Sequence, residues 1–429
     1  MDDINKNLKI KSKVKTFGCR LNFLESNLIE RYLEQSFLQN VIVVNTCAVT
    51  NEAERQAKQF IRKSYRENPD TNIIVTGCAS QINPENWMKM KEVKKVIGNS
   101  EKLDLSTWKN KKTNSFEFSN IMKQTKAKNI CHQGYKERQR AFLQIQQGCD
   151  HRCTFCIIPF GRGNNRSISS DQIINNARKL THYGHREIVL TGVDIASWGK
   201  DLDEKKGLGG LVKLIINNVE GIERLRLSSI DPAEVNSELI DAFANEIKLM
   251  PHLHLSIQHG DDIILKRMKR RHLSKDVIKL VKSLKNVRED IVFGADLISG
   301  FPTEDNQAHN RSLELIENTN ICWGHVFPYS SKEGTVAAKM PQVNKQIRQI
   351  RARELREKCY ENTKKWMKNQ LGANANVLME SSEYGRTEHY ALVRLTLDQN
   401  PGTIKKIKVI DINEPYLIGE TINNSKKIG

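Results

Sequence analysis

The sequence predicts an α/β protein with three parts: an N-terminal doubly wound parallel sheet, a central partial (β/α)6 TIM-like barrel and a small C-terminal β-barrel. Three observations predict this architecture. Short β-branched runs alternate with stretches of helical spacing through most of the chain, which is typical of parallel sheets. A polar, lysine-rich segment, residues 103–136, interrupts the alternation. After residue 373, short strand-like runs separated by turn residues replace it.

The N-terminal part has four predicted strands with helices between them. Thr50 is a good helix-capping residue, and Glu52 and Glu54 suit the first turn of the helix that follows it to Asn68. These elements predict one parallel sheet. The strands are residues 14–17, 41–44, 72–76 and 95–97, and the helices are residues 22–35, 51–68 and 84–91.

The central part has six predicted strands, each followed by a helical or turn segment. Six β/α units are too few to close an eight-stranded barrel, so we expect a curved, partly open one with its chemistry at the carboxyl ends of the strands. The predicted strands are residues 141–146, 187–191, 225–228, 252–257, 292–298 and 322–328.

The C-terminal part has four strand-like runs after a long charged helix, residues 344–369. Their spacing predicts a small β-barrel, similar in type to OB-like nucleic-acid modules. The alternative is a packing appendage without a ligand. The predicted domains are residues 1–125, 135–366 and 367–429.

Three cysteines directly after the first central strand have C-x3-C-x2-C spacing. Cys149, Cys153 and Cys156 can be aimed at one point by a single short loop. A [4Fe-4S] cluster normally takes four thiolates, so three local ligands predict a cluster with one iron left open. The alternatives are a zinc knuckle or three unrelated cysteines. A structural zinc site needs four ligands, and no C-x-x-C or histidine pair completes one nearby.

The first three predicted strands each lead into a cysteine: Cys19, Cys47 and Cys78. Strand ends of a parallel sheet meet at one edge, where open α/β sheets bind ligands. The three thiols are therefore expected to come together, which predicts a second cluster with an open iron. The alternative is three small buried residues at strand ends.

The formal net charge of +18 indicates a polyanionic partner, and nucleic acid is the first candidate. The alternative is a solvated surface without a partner. Basic residues cluster in residues 266–271, and Arg162 and Arg166 are further candidates for phosphate contacts. The apolar runs are too short to span a membrane. With acidic Asp2 and Asp3 and no apolar leader, the chain is expected to be cytoplasmic.

At this point the motifs resemble the radical S-adenosylmethionine (SAM) methylthiotransferases over nearly the whole chain. The segments are TFGCRLN (residues 16–22), VNTCAVT (44–50), VTGC (75–78) and GCDHRCTFCIIPFGRG (148–163). The tail resembles the RNA-binding TRAM domain. Gln147 and residues 226–232 and 325–330 are similar to the branch that acts on threonylcarbamoyladenosine in tRNA.

This resemblance implies two [4Fe-4S] clusters and SAM as cofactors. Cys149, Cys153 and Cys156 would hold the cluster that makes a 5′-deoxyadenosyl radical, and Cys19, Cys47 and Cys78 the cluster that carries sulfur. Residues at the barrel rim are expected to contact SAM. They are Gly192, Ser228, Gln258 and Arg271.

The resemblance also implies a substrate and partners. The expected reaction is methylthiolation of C2 of threonylcarbamoyladenosine-37, in the anticodon loop of tRNA. The alternatives are isopentenyladenosine-37 of tRNA or an aspartate of a ribosomal protein, and, from another class, a non-catalytic iron–sulfur RNA-binding protein. An electron donor such as flavodoxin or ferredoxin and a sulfur source are expected partners. Cys131, Cys322 and Cys359 have no predicted role, although Cys322 is expected in the core.

Overall fold

The computed structural model describes residues 12–109, 115–130, 134, 138–203 and 206–422. It divides into two compact units that do not follow chain order. Unit 1 comprises Met1–Ile130, Gln146–Ile168 and Ser330–Ala338, and unit 2 comprises Cys131–Ile145, Ser169–Tyr329 and Lys339–Gly429. The loop that carries Cys149, Cys153 and Cys156 therefore belongs to the same unit as the N-terminal sheet. The three domain ranges proposed from the sequence stay a prediction.

Unit 1 is built on five parallel strands in the order β1-β2-β3-β4-β5. Helices cover both faces of the sheet. Val43 packs with α1 on one face, and Val44 packs with α2 on the other. The predicted parallel sheet between two helical layers is confirmed. The elements are β1 (Lys13–Thr16), α1 (Arg20–Gln35), β2 (Val41–Thr46), α2 (Asn51–Glu67), β3 (Asn72–Gly77), α3 (Cys78–Ile82), α4 (Pro84–Met88), β4 (Val93–Ile97), α5 (Leu105–Lys109) and β5 (Ser115–Glu117).

Helix α2 begins as the sequence predicts. The Thr50 hydroxyl accepts a hydrogen bond from the Ala53 N–H at 3.2 Å, which satisfies one of the free donors of the first turn. By contrast, α5 and β5 lie in the segment interpreted as a boundary between domains. Trp108 of α5 is 1% exposed in the core. One buried tryptophan in a lysine-rich segment does not produce the repeated apolar spacing from which a helix can be predicted.

The segment 330–338 completes unit 1 from far along the chain. Lys332 Nζ forms an ion pair with Glu54 at 2.6 Å, and the Ala337 N–H donates to the Thr154 carbonyl at 2.9 Å. Unit 1 is therefore assembled from three separate stretches of chain.

Unit 2 contains the six predicted central strands in chain order. Two parallel sheets, β10-β9-β6 and β11-β12-β13, are joined by the parallel bridges Leu225–Leu249 and Ile230–Leu255. The prediction of six β/α units is confirmed. The strands are β6 (Arg140–Gln144), β9 (Glu187–Thr191), β10 (Arg224–Leu227), β11 (His252–Gln258), β12 (Val292–Ser299) and β13 (Trp323–Pro328), and a short pair in unit 1, β7 (Gln146–Gln147) and β8 (Arg166–Ser167), precedes β9.

Helices follow or flank the central strands. Glycine at position 324 of β13 lets the last helix approach closely, since a Cβ there would lie 2.4 Å from Cys359 Sγ. The helices are α6 (Ile158–Arg162), in unit 1, and α7 (Ser170–His182), α8 (Leu208–Asn218), α9 (Ser237–Asn245), α10 (Asp262–Arg267), α11 (Ser274–Val287), α12 (Asn306–Thr319) and α13 (Lys345–Lys368), in unit 2. Among the described residues, none of the helices is long and apolar enough to cross a membrane.

The C-terminal strands of unit 2 form a closed five-stranded barrel in the order β14-β15-β16-β18-β17. Closure pairs every strand on both sides, which leaves no free edge. The predicted small β-barrel is confirmed, with one strand, β15, that the sequence did not indicate. The strands are β14 (Asn374–Met379), β15 (Tyr384–Thr387), β16 (Leu392–Leu395), β17 (Ile404–Asn413) and β18 (Tyr416–Thr421).

A buried ion-pair cluster ties the C-terminal barrel to the central strands within unit 2. Glu187 of β9 accepts from Arg226 Nε at 2.9 Å. Arg226 Nη1 in turn donates to the Glu388 carbonyl at 3.1 Å, and Arg224 Nη2 donates to the Asn376 carbonyl at 2.7 Å. These contacts fix the C-terminal barrel against β10.

Candidate metal centre

The N-terminal cysteine triad lies at the carboxyl edge of the sheet in unit 1. Cys19 is the N-cap of α1, directly after the turn that follows β1. Cys47 follows β2, and Cys78 follows β3 as the first residue of α3. Because the three strands are parallel neighbours, their ends meet at one edge. The structure thus brings together the three cysteines, which are separated by about 30 residues each along the chain.

Two glycines allow this close approach. Gly18 has φ +103°, and a Cβ there would lie 2.8 Å from Cys47 Sγ. Gly77 has φ +106°, and a Cβ there would lie 2.3 Å from the Thr46 carbonyl oxygen. Glycine is the residue that adopts such φ values without strain. Glycine at both positions therefore permits the backbone conformation that the cysteine-bearing strand ends require.

The triad is electrostatically coupled. Burial and the neighbouring Cys78 together raise the pKa of the Cys47 thiol to about 12. Although Cys19 is exposed as a whole residue, the loss of water around its thiol raises the pKa, partly opposed by the positive charge of Arg162. Thiols with raised pKa values are protonated at neutral pH, and each would lose its proton on binding a metal, since metal binding requires the thiolate.

The second triad is carried by a loop that is closed at its base by the antiparallel pair of β7 and β8. At that base, Gly148 has φ +76°, and a Cβ there would lie 1.8 Å from the Asn164 carbonyl oxygen. The Cys149 N–H donates to the Gly163 carbonyl at 3.0 Å, and the Cys156 N–H donates to the Cys153 carbonyl at 3.0 Å. The loop is thus held by its own backbone, with all three thiols partly exposed.

Arg162, at the end of the same loop, contacts the other triad. Its Nε donates to Cys78 Sγ at 3.0 Å. Its Nη2 donates to Glu25 Oε2 at 3.0 Å, and its Nη1 donates to Glu25 Oε1. The preceding Gly161 lies against Cys78, since a Cβ there would be 3.2 Å from the Cys78 Cβ. One short helix, α6, therefore connects the two cysteine triads within unit 1.

A buried charge network surrounds this contact. Lys102 Nζ donates to Glu25 Oε2 and to Asn99 Oδ1, both at 2.6 Å. Arg162 is 2% exposed, and Glu25 and Lys102 are 0% exposed. Although burial alone would raise the pKa of Glu25, Arg162 and Lys102 lower it below its usual value. Glu25 is therefore ionised between two cations.

The charges around Cys78 fit a metal centre. Burial lowers the pKa of Lys102, whereas the pKa of Arg162 lies well above its usual value. Arg162 is therefore a buried cation whose Nε faces Cys78 Sγ at 3.0 Å, and buried charge is stable only when paired. A thiolate bound to a cluster would give it an anionic partner there. The three thiols, the close approach at Gly18 and Gly77 and the Arg162 guanidinium all fit an iron–sulfur cluster on this triad.

A cavity of about 430 Å³ in unit 1 is lined by three residues that directly follow cysteines in the sequence. Ala48 follows Cys47, Ala79 follows Cys78, and Ile157 follows Cys156. Asn51, Lys58 and Lys332 also line the cavity and contribute polar groups.

At the carboxyl ends of the central strands, two buried polar side chains have no hydrogen-bond partner among the described residues. These are Gln144, at the end of β6, and Ser228, directly after β10. Ser228 was predicted from the sequence, and Gln144 was missed. An orphaned buried amide and hydroxyl at this edge fit a polar ligand. The signal for Gln144 was a polar residue at the end of an otherwise apolar strand.

The other predicted SAM contacts are placed as follows. Gly192 follows β9, and Gln258 ends β11 with φ +75°. Arg271 is 40% exposed, and its Nη2 lies 3.2 Å from Asp231 Oδ2. Their roles stay predictions.

Two arginines expected to contact phosphate are not available for it. Arg162 and Arg166 are each 2% exposed. The Arg166 Nη2 donates to the Arg162 carbonyl and to Gln147 Oε1. The expectation was wrong because both side chains are buried in unit 1 and form hydrogen bonds there.

The remaining described cysteines are buried in unit 2 and belong to neither triad. Cys322 directly precedes β13, and Cys359 lies on α13. Burial raises the pKa of each thiol to about 12. They are core residues, as expected for Cys322. Cys131 lies outside the described residues.

Comparisons with known proteins agree with this arrangement. A family model described as the radical SAM superfamily matches residues 143–316, and one described as uncharacterized protein family UPF0004 matches residues 11–98. The first includes the loop of Cys149, and the second includes all three cysteines of the N-terminal triad.

Three curated relatives are similar over almost the whole chain. The threonylcarbamoyladenosine tRNA methylthiotransferase MtaB of Rickettsia prowazekii is 42% identical over 97% of this chain and 99% of its own. That of Bacillus subtilis is 30% identical over 95% of each chain. The tRNA-2-methylthio-N(6)-dimethylallyladenosine synthase of Neorickettsia sennetsu is 30% identical over 90% of this chain and 87% of its own.

Among solved structures, the fold is similar to the radical SAM methyltransferase TsrM from Kitasatospora setae. The TM-score is 0.53 at 13% identity, and the match covers 74% of this chain and 70% of that one. The similarity concerns the fold alone.

Proposed function

The chain belongs to the radical SAM methylthiotransferase family, and from this premise we propose that it methylthiolates C2 of threonylcarbamoyladenosine-37 in the anticodon loop of tRNA. The observation that carries the proposal is the contact between Arg162 and Cys78. Through this contact, the end of the loop that carries Cys149, Cys153 and Cys156 lies against the N-terminal cysteine triad, inside one compact unit. The relatives over the full chain length, which act on this nucleoside by name, support the choice of substrate.

We infer that each triad holds one [4Fe-4S] cluster. The Arg162 guanidinium beside Cys78 supports the cluster on the N-terminal triad. When bound, the cluster on Cys149, Cys153 and Cys156 supplies the electron that cleaves SAM, and the one on the N-terminal triad supplies the sulfur. The protein's part is to orient these groups and exclude water around them.

Several residues would serve these roles. Backbone hydrogen bonds of Cys149 and Cys156 fix the loop that would present the three thiols of residues 149–156 to one cluster. Gln144 and Ser228 offer unpaired polar groups for the polar ends of SAM. Gly192, Gln258 and Arg271 are proposed as further contacts. Arg271 is pre-positioned by the carboxylates of Asp231 and Glu234.

We propose that the C-terminal barrel binds the tRNA as a TRAM-like module. Strand β17 carries Lys405, Lys406 and Lys408, and the last two are exposed. Phosphate contacts from such lysines position an RNA without reading its sequence. The target base lies in a single-stranded loop, which proteins recognise by unstacking the base.

The proposed reaction requires partners that the chain does not contain. Reductive cleavage of SAM needs an electron donor such as flavodoxin or ferredoxin. Each turnover also consumes a sulfur atom from an external source and a methyl group from a second SAM. The proposed site of action is the cytoplasm, where mature tRNA is available.

The deciding experiment is nucleoside analysis of tRNA from a strain that lacks this gene and from the same strain complemented with it. We expect the methylthio form of threonylcarbamoyladenosine to disappear and to return on complementation. Loss of methylthio-isopentenyladenosine instead would show that this chain acts on isopentenyladenosine, which the name of the Neorickettsia relative calls dimethylallyladenosine. An unchanged nucleoside profile would reject both tRNA reactions and direct attention to a protein substrate.

A non-catalytic role is tested with the purified protein. Reconstituted enzyme should release 5′-deoxyadenosine from SAM in the presence of a reductant and substrate tRNA. Binding of tRNA without any 5′-deoxyadenosine would show an iron–sulfur RNA-binding protein.

A further inference from the structure

Three neighbouring strands of unit 2 gather two imidazoles and one carboxylate that the proposed reaction does not use. His254 lies on β11, Asp296 on β12 and His325 on β13. The strand register pairs Asp296 directly with His325. Their neighbours in sequence, Leu255 and Val326, are buried on the opposite face. The three polar side chains therefore share one face of the sheet, away from its apolar core.

The potential ligand atoms converge. His254 Nε2 lies 3.1 Å from Asp296 Oδ1, and His325 Nδ1 lies 3.4 Å from the same oxygen. All three ligand atoms are within 4.8 Å of one another. Ligands bound at about 2.1 Å from one ion lie roughly 3.0 Å apart in octahedral geometry and roughly 3.4 Å apart in tetrahedral geometry. The separations of 3.1 and 3.4 Å from Asp296 Oδ1 match these values, and the His254 contact is also a hydrogen bond in the absence of an ion.

The backbone makes room for this arrangement. A Cβ at Gly294, the register partner of His254, would lie 2.4 Å from His254 Nδ1. Only glycine at this position lets the imidazole lie across the strand toward Asp296. The rings of His254 and His325 are 4.6 Å apart between centroids, so the two imidazoles are direct neighbours.

We propose that His254, Asp296 and His325 bind one divalent transition-metal ion. Two imidazoles and one carboxylate are the ligand set of mononuclear Fe²⁺ sites with open positions, and the same donors bind Zn²⁺. The side chain of His325 is 59% exposed, so the remaining coordination positions are accessible to an oxygen-donor ligand. The site uses none of the six cysteines and is independent of the proposed clusters.

The test uses Zn²⁺ as the probe on the full chain with its clusters in place. Zinc is titrated into wild-type protein and into Asp296→Asn, His325→Ala and His182→Ala variants, and unbound ion is removed by gel filtration. Zinc and iron are then measured in the same samples. His182, an exposed histidine on α7, is the matched control. The amide in Asp296→Asn keeps the size of the side chain, so the fold is retained.

We expect one zinc per chain in wild-type protein and in His182→Ala. Asp296→Asn and His325→Ala should each bind it at least about ten-fold more weakly, with iron unchanged in all four proteins. The proposal is overturned if wild-type protein takes up no zinc at micromolar concentration, or if both site variants keep it as tightly as wild type. Zinc uptake accompanied by the loss of about four irons per chain also overturns it, since the ion then replaces a cluster.

Discussion

The guanidinium of Arg162 donates a hydrogen bond from Nε to Cys78 Sγ at 3.0 Å. These residues are 84 positions apart, and each belongs to a different cysteine motif. Arg162 has its other nitrogens on Glu25 and Asn22, so the guanidinium is held in one orientation. The two cysteine motifs of the sequence are therefore in contact through one arginine.

Replacement of Arg162 by Gln should strongly destabilise unit 1. The variant leaves Glu25 buried with Lys102 as its sole cation, and breaking a buried ion pair costs about 3–5 kcal/mol. Urea unfolding followed by circular dichroism measures the change. The control is Arg55→Gln, which breaks the exposed pair with Glu52 and should change little. A loss no larger than that of the control would refute the role of the network.

The glycine before Cys19 should be required for the N-terminal cluster. In Gly18→Ala the new Cβ meets Cys47 Sγ at 2.8 Å in a backbone region that alanine rarely adopts. We expect iron to fall from about eight to about four per chain after anaerobic purification. Gly184→Ala is the matched control, because Gly184 has φ +90° and its Cβ would meet nothing within 4 Å. Full iron content in Gly18→Ala would contradict the prediction.

Variants of the two triads should lose different steps of the proposed reaction. Cys153→Ala should abolish the formation of 5′-deoxyadenosine, and Cys78→Ala should retain it while losing the methylthiolated product. Each should hold about four irons. Cys322→Ala, in the core of unit 2, serves as the control and should keep about eight irons. The assay is chromatographic quantification of 5′-deoxyadenosine and of modified nucleoside. Methylthiolated product from Cys78→Ala would exclude the proposed role of the N-terminal triad.

Glu187 predicts an acid limit of stability for unit 2. Burial would raise the pKa of this carboxyl, but Arg226 and its neighbours lower it to about 2, below the usual 4.5. The ionised carboxylate therefore stabilises the folded state above pH 4.5, by about 3 kcal/mol, and this contribution is lost as the pH falls toward 2. In Glu187→Gln the deficit in unfolding free energy should be largest above pH 4.5 and should shrink toward pH 2. A deficit independent of pH would refute the assignment.

Binding of tRNA should depend on salt through the C-terminal barrel. Alanine at Lys406 and Lys408 should weaken binding and make the log–log dependence of affinity on salt shallower by about 0.7–0.9 per lost contact. Lys213→Ala, on the exposed side of α8, is the control and should leave the slope unchanged. Filter binding over a salt series provides the measurement. An unchanged slope in the double variant would move the RNA site elsewhere.

Much of the fold was predictable because local pattern and tertiary structure agree. Strand β9 has the predicted bounds, and Thr50 caps α2 as expected. The sheet ends that carry the cysteines follow from alternating strands and helices alone. Prediction failed where the hydrophobic pattern was weak. Strand β5 has only three residues, and the preceding helix α5 is short and lies in a lysine-rich segment.

The charge network was not predicted, although the sequence held a signal for it. Glu25 is four residues after Leu21 and three before Leu28, and therefore sits within the apolar stripe of α1. A carboxylate in such a stripe needs a buried cation. Which cation it meets could not be read from the sequence, because Lys102 and Arg162 reach it only through the tertiary fold.

The assembly of unit 1 from three stretches of chain has a consequence for biosynthesis. Segment 330–338, with Lys332 on Glu54 and Ala337 on Thr154, leaves the ribosome only after most of the polypeptide has been made. Unit 1 therefore stays incomplete until all six central strands have been synthesised. Iron delivered during translation would meet the proposed cysteine ligands before segment 330–338 is in place.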